Sequence, residues 1–346
     1  MTILQDPSLT ANRAFVLHPG GKFTYEQRAV PDLETDRDVI VRIVATGLCG
    51  SDVHYWQHGR IGQYVVEKPI ILGHESSGIV VKCGKKVTDL AVGDRVMLEP
   101  GDSSPTTEPS PNTTAPPANA AINCRPIFSL RDGSMIEPLS VAVHSCRLAG
   151  SLQESSVAVF GAGPVGLLCS AVARAFGAST VVAIDVVDSR LASALKHGAT
   201  HAYKMDTESP EINAKGLLSS VGLDYGFDVV LDATGAEPCL SCGIHALTRG
   251  GTFVQVGLGN PNPSLPVGQI CDKEAVFKGS FRYGPGDFKM AIDLLNSRRV
   301  KLDGLVTHEF SFEDAEDAFK NVVGRAGIKS VIYGPDVDEN EANKFN

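Results

Sequence analysis

The sequence predicts a two-domain α/β protein in which an antiparallel β-rich module is followed by a doubly wound parallel sheet. Three observations carry that expectation. The chain has 346 residues, enough for two domains of about 150 residues each. Before residue 100, apolar residues alternate with polar ones in short runs, as in half-buried antiparallel strands. After residue 155, short and wholly apolar runs alternate with helical stretches, the pattern of strands buried on both faces of a parallel sheet.

The first runs are Ala14-Phe15-Val16-Leu17 and Val39-Ile40-Val41-Arg42-Ile43-Val44, parted by the Pro19-Gly20-Gly21 turn and Pro31. Gly78-Ile79-Val80-Val81 and Arg95-Val96-Met97-Leu98 continue the pattern. Residues 102–120 break it. Five prolines lie there among Ser, Thr, Asn and Ala, too little apolar surface to offset ordering entropy, so a disordered loop is expected. The second pattern starts at Val157-Ala158-Val159-Phe160, followed by a helix over 165–176, a strand at 180–184 and a helix around 190–197. Further strands are expected at 227–231, 251–256 and 277–279. The tail reads as helices at 288–296 and 312–323 and a last strand at 329–333. Residues 1–149 with 284–346 are expected to form one domain and 150–283 the other.

Composition excludes several functions. A net charge of −9 argues against a general nucleic-acid binder, which needs a basic face. No run of 18 or more apolar residues exists, so no membrane span is expected. Residues 1–13 lack the basic-then-apolar order of a secretion signal. The eight cysteines therefore read as free thiols or metal ligands in a cytoplasmic protein, not as a disulfide framework.

Gly161-Ala162-Gly163-Pro164-Val165-Gly166 follows an expected strand and opens an expected helix. In a dinucleotide site the first glycine allows the tight turn, the second lets the backbone approach a pyrophosphate, and the third lets helix pack on strand. The helix N-terminus offers unpaired N–H groups and a positive dipole end to the phosphates. A glycine turn alone is weak evidence and can be merely structural. Here Asp185 ends the next strand, 24 positions after Gly161, where a ribose-binding acid belongs. A carboxylate there accepts from the adenosine 2′-OH and repels a 2′-phosphate, which favours NAD over NADP. The alternative is that Asp185 only caps a helix. Arg190 is expected to stack on the adenine or lie in solvent.

The β-rich module holds a second constellation. Cys49-Gly50-Ser51-Asp52-Val53-His54, Gly73-His74-Glu75 and Met135-Ile136-Glu137 offer a thiol, imidazoles and carboxylates, a donor set suited to a catalytic zinc with an open position. Spacing alone does not establish it, because the groups are far apart and a buried Cys49 could equally be a small core residue.

Taken in order, Cys49-Gly50-Ser51-Asp52-Val53-His54, Gly73-His74-Glu75, Glu137-Pro138-Leu139-Ser140-Val141-Ala142-Val143-His144 and the glycine turn resemble the motifs of zinc-dependent medium-chain dehydrogenases. The most similar branch is the polyol one, the sorbitol and xylitol dehydrogenases (D-xylulose reductases). Val53-His54-Tyr55-Trp56 followed by His58-Gly59-Arg60-Ile61-Gly62 is similar to the fungal xylitol enzymes. The resemblance covers 13–100 and 128–335. It implies a GroES-like β-barrel catalytic domain and a Rossmann domain.

Carried over by position, the resemblance implies Cys49, His74 and Glu75 around one catalytic zinc. Glu137 stands where ordinary alcohol dehydrogenases have a cysteine ligand, and either binds the zinc or holds its water. Asp52 is implied as a carboxylate that orients the site, and Ser51 and His54 as the proton path to solvent. Tyr55, Glu137, Arg282 and Tyr283 are implied as contacts to a polyol chain. Gly161, Gly163, Val165, Gly166, Asp185, Arg190, Val256, Gly257 and Leu258 are the expected cofactor contacts. The implied reaction is oxidation of a polyol secondary hydroxyl by NAD, xylitol to D-xylulose first, with L-arabinitol or sorbitol as alternatives. Zinc acts as the Lewis acid and hydride passes to the nicotinamide. The family forms tetramers, so a homo-oligomer is implied.

The chain departs from the family in one stretch. Members with a structural zinc carry four closely spaced cysteines near 101–123, whereas Cys124 is the only cysteine here between Cys83 and Cys146. A structural zinc is not supported, and the aromatic pocket wall of that lobe is missing too. The stretch is either a natural variant or a gene-model error, and a catalytically impaired NAD-binding protein is the alternative it raises. Cys239-Leu240-Ser241-Cys242 has no partner pair and reads as coincidence.

Overall fold

A computed structural model describes residues 11–62, 64–100, 120–123 and 128–344. The disordered loop expected at 102–120 lies outside the described residues except for Ala120, which opens a strand.

Branched apolar residues in alternation give the N-terminal part its strands. β1 (Arg13–Leu17) and β2 (Phe23–Gln27) pair antiparallel. β3 (Val39–Gly47) leads into α1 (Gly50–His58). A two-residue hairpin follows, β4 (Arg60–Ile61) with β5 (Tyr64–Val65), and then β6 (Ile70–Ile71), which adds to β1. Next come β7 (Glu75–Cys83), β8 (Arg95–Glu99), β9 (Ala120–Asn123) and a short α2 (Leu130–Gly133).

After α3 (Ile136–Ala149) the chain alternates strand and helix. The elements are β10 (Ser156–Phe160), α4 (Pro164–Ala175), β11 (Thr180–Asp185), α5 (Asp188–Lys196), β12 (His201–Lys204), α6 (Pro210–Val221), β13 (Phe227–Asp232), α7 (Glu237–Ala246), β14 (Leu247–Gln255), α8 (Val267–Asp272), β15 (Val276–Gly279) and α9 (Asp287–Asn296). β16 (Val306–Phe310), α10 (Ala315–Val323), β17 (Lys329–Tyr333) and α11 (Glu339–Asn343) complete it. Among the described residues no helix is long and apolar enough to cross a membrane.

Two compact units result: 1–137 with 302–346, and 138–301. In the first, β16 and β17 from the tail extend the N-terminal strands into one six-stranded sheet, β16-β17-β3-β7-β8-β9. In the second, six parallel strands run in the order β12-β11-β10-β13-β14-β15, around a core that includes Phe160, Phe227 and Phe253.

The boundaries differ from the expected 149/150 and 283/284, and anchoring explains it. Beyond Glu137, α3 is tied into the second unit: Lys278 Nζ donates to the Leu148 carbonyl at 2.7 Å and the Ser145 and Ser280 hydroxyls meet at 3.1 Å. His144 Nδ1 lies 2.7 Å from Asp287, the first residue of α9, so that helix belongs there as well. α10 starts later than expected because Ser311 and Asp314 close a turn on each other first. α6 and α7 lie where the periodicity predicts nothing. Ser209 caps α6, with Pro210 in its first turn.

Candidate functional site

In the first unit the strand register assembles a tight cluster. β3 lies between β7 and β17, with Gly47 opposite both Glu75 and Val331. Cys49, two residues past Gly47, is the N-cap of α1, and His74 immediately precedes β7. The ligand atoms of Cys49, His74 and Glu75 all lie within 4.8 Å of one another.

Asp52 orients two of these groups. It is buried, and its Oδ2 accepts the Cys49 N–H at 3.0 Å, closing a capping box at the start of α1. Its Oδ1 faces His74 Nδ1 at 3.5 Å. An Nδ1–H held by a carboxylate leaves Nε2 as the ligand atom, the arrangement that metal-binding histidines use. Burial works against a charged His74, yet Asp52 and Cys49 push its pKa up to about 12. The acidic groups around it thus favour positive charge at this position. Thiolate, imidazole and carboxylate are donors that suit zinc.

The sequence reading missed one member of this cluster. Lys329, at the start of β17, contacts the Glu75 carboxylate, and both side chains are 2% exposed. Burial opposes its charge, but Glu75, Cys49 and Glu137 hold its pKa above the ordinary lysine value. No local signal marks it, since 254 positions separate it from Glu75. A Cβ on Gly47 would overlap the Glu75 carboxylate and crowd Lys329 Cε, so glycine is what makes room for the pair.

Of the four expected ligands the structure gathers three. Glu137, buried in the first turn of α3, stands outside that group, and its charge is felt at Lys329. Ser51, His54 and Tyr55 follow on α1, the first and last half-buried and His54 exposed. Val53 and Trp56 pack that helix against Leu48, Phe23 and Phe319, and Trp56 Nε1 donates to the Gly21 carbonyl at 3.0 Å.

The second unit carries the expected cofactor residues at the carboxyl ends of its strands, where strand order reverses between β10 and β13. Ligands of open α/β sheets bind at such a reversal. Gly161 takes a left-handed φ of 91°, Gly163 is the N-cap of α4 and Val165 lies in its first turn. A Cβ on Gly166 would overlap the Gly161 carbonyl oxygen, so only glycine lets this helix sit on its strand. Asp185 ends β11 and accepts from the Ala162 N–H at 2.7 Å and the Val186 and Val187 N–H groups at 2.8 and 3.0 Å. The cap position of α5 is Val187, not Asp185, and Arg190 is half-buried in the first turn of that helix.

Past β14, the Val256 and Gly257 N–H groups both bond to the Asp232 carbonyl, while Leu258 is exposed. The Asp232 side chain was not foreseen. It is fully buried at the end of β13 and accepts from Thr234 N–H and Oγ1, Gly235 N–H and Gln255 Nε2. Burial raises its pKa, against the pull of those four bonds. Its sequence signal was available: an acid closing an apolar run, as Asp185 does.

Arg282 has a left-handed φ of 54° and its guanidinium lies over Phe281, 5.5 Å from the ring centroid. Tyr283 packs on Phe288. These two belong to the second unit, whereas Tyr55 and Glu137 belong to the first. The Cys239 and Cys242 thiols lie on α7, where burial pushes them up to about 11 and about 12, so the pair stays protonated.

The chain matches the zinc-binding dehydrogenase domain over residues 164–297 and the alcohol dehydrogenase GroES-like domain over residues 35–149. It is 45% identical to a protein of Aspergillus clavatus named probable D-xylulose reductase A, over 93% of this chain and 97% of that one. The chain belongs to the zinc-binding dehydrogenase family. D-xylulose reductase A of Aspergillus oryzae is 43% identical, over 96% of this chain and 99% of its own length. Among solved structures, 2R,3R-butanediol dehydrogenase of Bacillus subtilis superposes with a TM-score of 0.80 at 24% identity, covering 93% and 99% of the two chains. That likeness shows the shared α/β fold of the family, a GroES-like domain with a parallel-sheet domain.

Proposed function

We propose that this zinc-binding dehydrogenase oxidises a secondary hydroxyl of a polyol with NAD, xylitol to D-xylulose in the first place. The observation that carries the reading is the convergence of Cys49, His74 and Glu75 in a chain similar to D-xylulose reductases over nearly its full length. One zinc held by these three would supply Lewis-acid polarisation of the reacting hydroxyl.

The protein's own groups do the rest. Asp52 holds Cys49 and His74 in place, and Lys329 balances the Glu75 charge. Ser51 and His54 pass the hydroxyl proton outward along α1, on which His54 is exposed. Tyr55, Glu137, Arg282 and Tyr283 bind the neighbouring hydroxyls, and a hydroxyl-poor alcohol would leave those polar groups unpaired. Gly163 and Val165 at the start of α4 take the pyrophosphate, Gly161 and Gly166 shape the turn that lets it approach, Asp185 takes the ribose, and Arg190 with 256–258 the rest of the cofactor. Seven described cysteines carry free thiols, which favours a reducing, cytoplasmic setting. A homo-oligomer, tetrameric as in the family, completes the reading.

Metal analysis joined to an NADH-formation assay tests it, with xylitol, L-arabinitol and sorbitol compared. Zinc-dependent NADH formation, fastest with xylitol, is expected. A zinc-free protein whose xylitol activity does not return on zinc addition defeats the reading. NADH binding without turnover on any polyol assigns the chain to the impaired class.

A further inference from the structure

The chain has nine histidines. Seven of them set a ring nitrogen against a protein group, as His18 does with Thr24 and His197 with the Ser193 carbonyl. His54 and His58 make no such bond among the described residues. They stand one turn apart on the exposed side of α1, with ring centroids 5.4 Å apart and planes tilted by 46°. Val53 and Trp56 hold the other side of the helix down. Gly59, left-handed at φ 64°, closes the helix with its N–H on the Tyr55 carbonyl, so the backbone stays helical through His58.

Two histidines four positions apart on one helix face form a chelate for zinc. Zn–N bonds of about 2.1 Å at a tetrahedral angle put the ring centroids about 5 Å apart, close to the separation already present. Imidazole also suits nickel and copper. We propose that His54 and His58 form a second metal site, which takes a borderline divalent cation such as zinc, with water completing its shell. The bound ion occupies an imidazole lone pair and so withdraws His54 from proton transfer. Excess zinc therefore inhibits turnover reversibly, a consequence that rests on the proton-path role proposed for His54 above.

Equilibrium dialysis of the zinc-loaded, full-length protein against rising zinc, with metal counting, reads the site directly. The wild type should retain one zinc more than His58→Ala, with retention weakened at least about tenfold in the variant, since losing a ligand costs no less than losing a ligand's supporting partner. His58→Asn, which is polar and of similar bulk, decides the matter if alanine frays the helix end. Equal zinc retention by wild type and both variants overturns the site. In a parallel assay of xylitol oxidation, added zinc should inhibit the wild type and spare His58→Ala. A second zinc retained without inhibition supports the site and removes His54 from the proton path. Absence of polyol turnover under every metal condition overturns the functional reading, while the dialysis still decides the site.

Discussion

One unbroken run from Ser156 to Arg190 supplies strand, turn, helix, strand and acid for the nucleotide edge. The metal cluster instead draws Cys49 from a helix cap, His74 and Glu75 from the start of β7, and Lys329 from β17. The nucleotide edge depends on local backbone geometry, where a side chain at Gly166 would strike the preceding turn. The cluster depends on strand register, which sets Gly47 opposite Glu75 and brings Lys329 beside it. A contiguous site tolerates changes elsewhere in the chain, whereas a convergent one binds distant segments into one energetic unit.

Variants can break or sharpen that contrast. The largest effect is expected at Cys49. Cys49→Ala should lose zinc on dialysis and slow polyol oxidation about a thousandfold or more, the equivalent of several kcal/mol of Lewis-acid stabilisation. Metal counting beside kcat/KM checks it, and NADH binding should persist because the nucleotide edge is untouched.

Lys329→Met should come next. It leaves Glu75 charged and buried, which costs about 3–5 kcal/mol, read by denaturant unfolding of the metal-free protein. Zinc should recover part of the loss, and adding Glu75→Gln to the variant should recover part of it without zinc. Equal stability of Lys329→Met and wild type would mean that the pair does not bind the segments together.

Gly166→Ala tests the contiguous site. Overpacking against the Gly161 carbonyl should cost about 1–3 kcal/mol and weaken NADH binding measured by cofactor fluorescence, with zinc content unchanged. Asp185→Ser should raise the NADP-to-NAD ratio of kcat/KM by about ten- to a hundredfold, as removal of the acid relieves repulsion of the 2′-phosphate.

The smallest effect concerns Asp287. Burial works against its charge, but His144, the Gly284 N–H and Arg147 hold its pKa below the ordinary aspartate value. A native value below the unfolded one gives stability that is complete above about pH 4 and is lost as pH falls through the native value. Thermal melts of wild type and Asp287→Asn should differ at pH 6 and converge on acidification.

Much of this was legible beforehand. The apolar runs that became β10, β11 and β13 are continuous and bounded, because strands covered on both faces need no polar alternation. The last strand, Lys329–Tyr333, was legible for the same reason. α6 and α7 were not, because caps and packing on the sheet, more than periodicity, hold them. At the site, Cys49, His74 and Glu75 were expected through family resemblance and Asp232 was legible as an acid closing an apolar run, while Lys329 had to await the fold. A lysine opening an apolar strand reads as a solvent residue until its neighbour across the sheet is known.

By itself the sequence determined the strand and helix alternation, the glycine turn and the acid that follows it, because these follow from steric rules acting over a few residues. Only the tertiary structure decided that a thiol, an imidazole and a carboxylate share one small space with a buried lysine. Sheet register across hundreds of positions sets that distance, and no local rule of backbone conformation contains it.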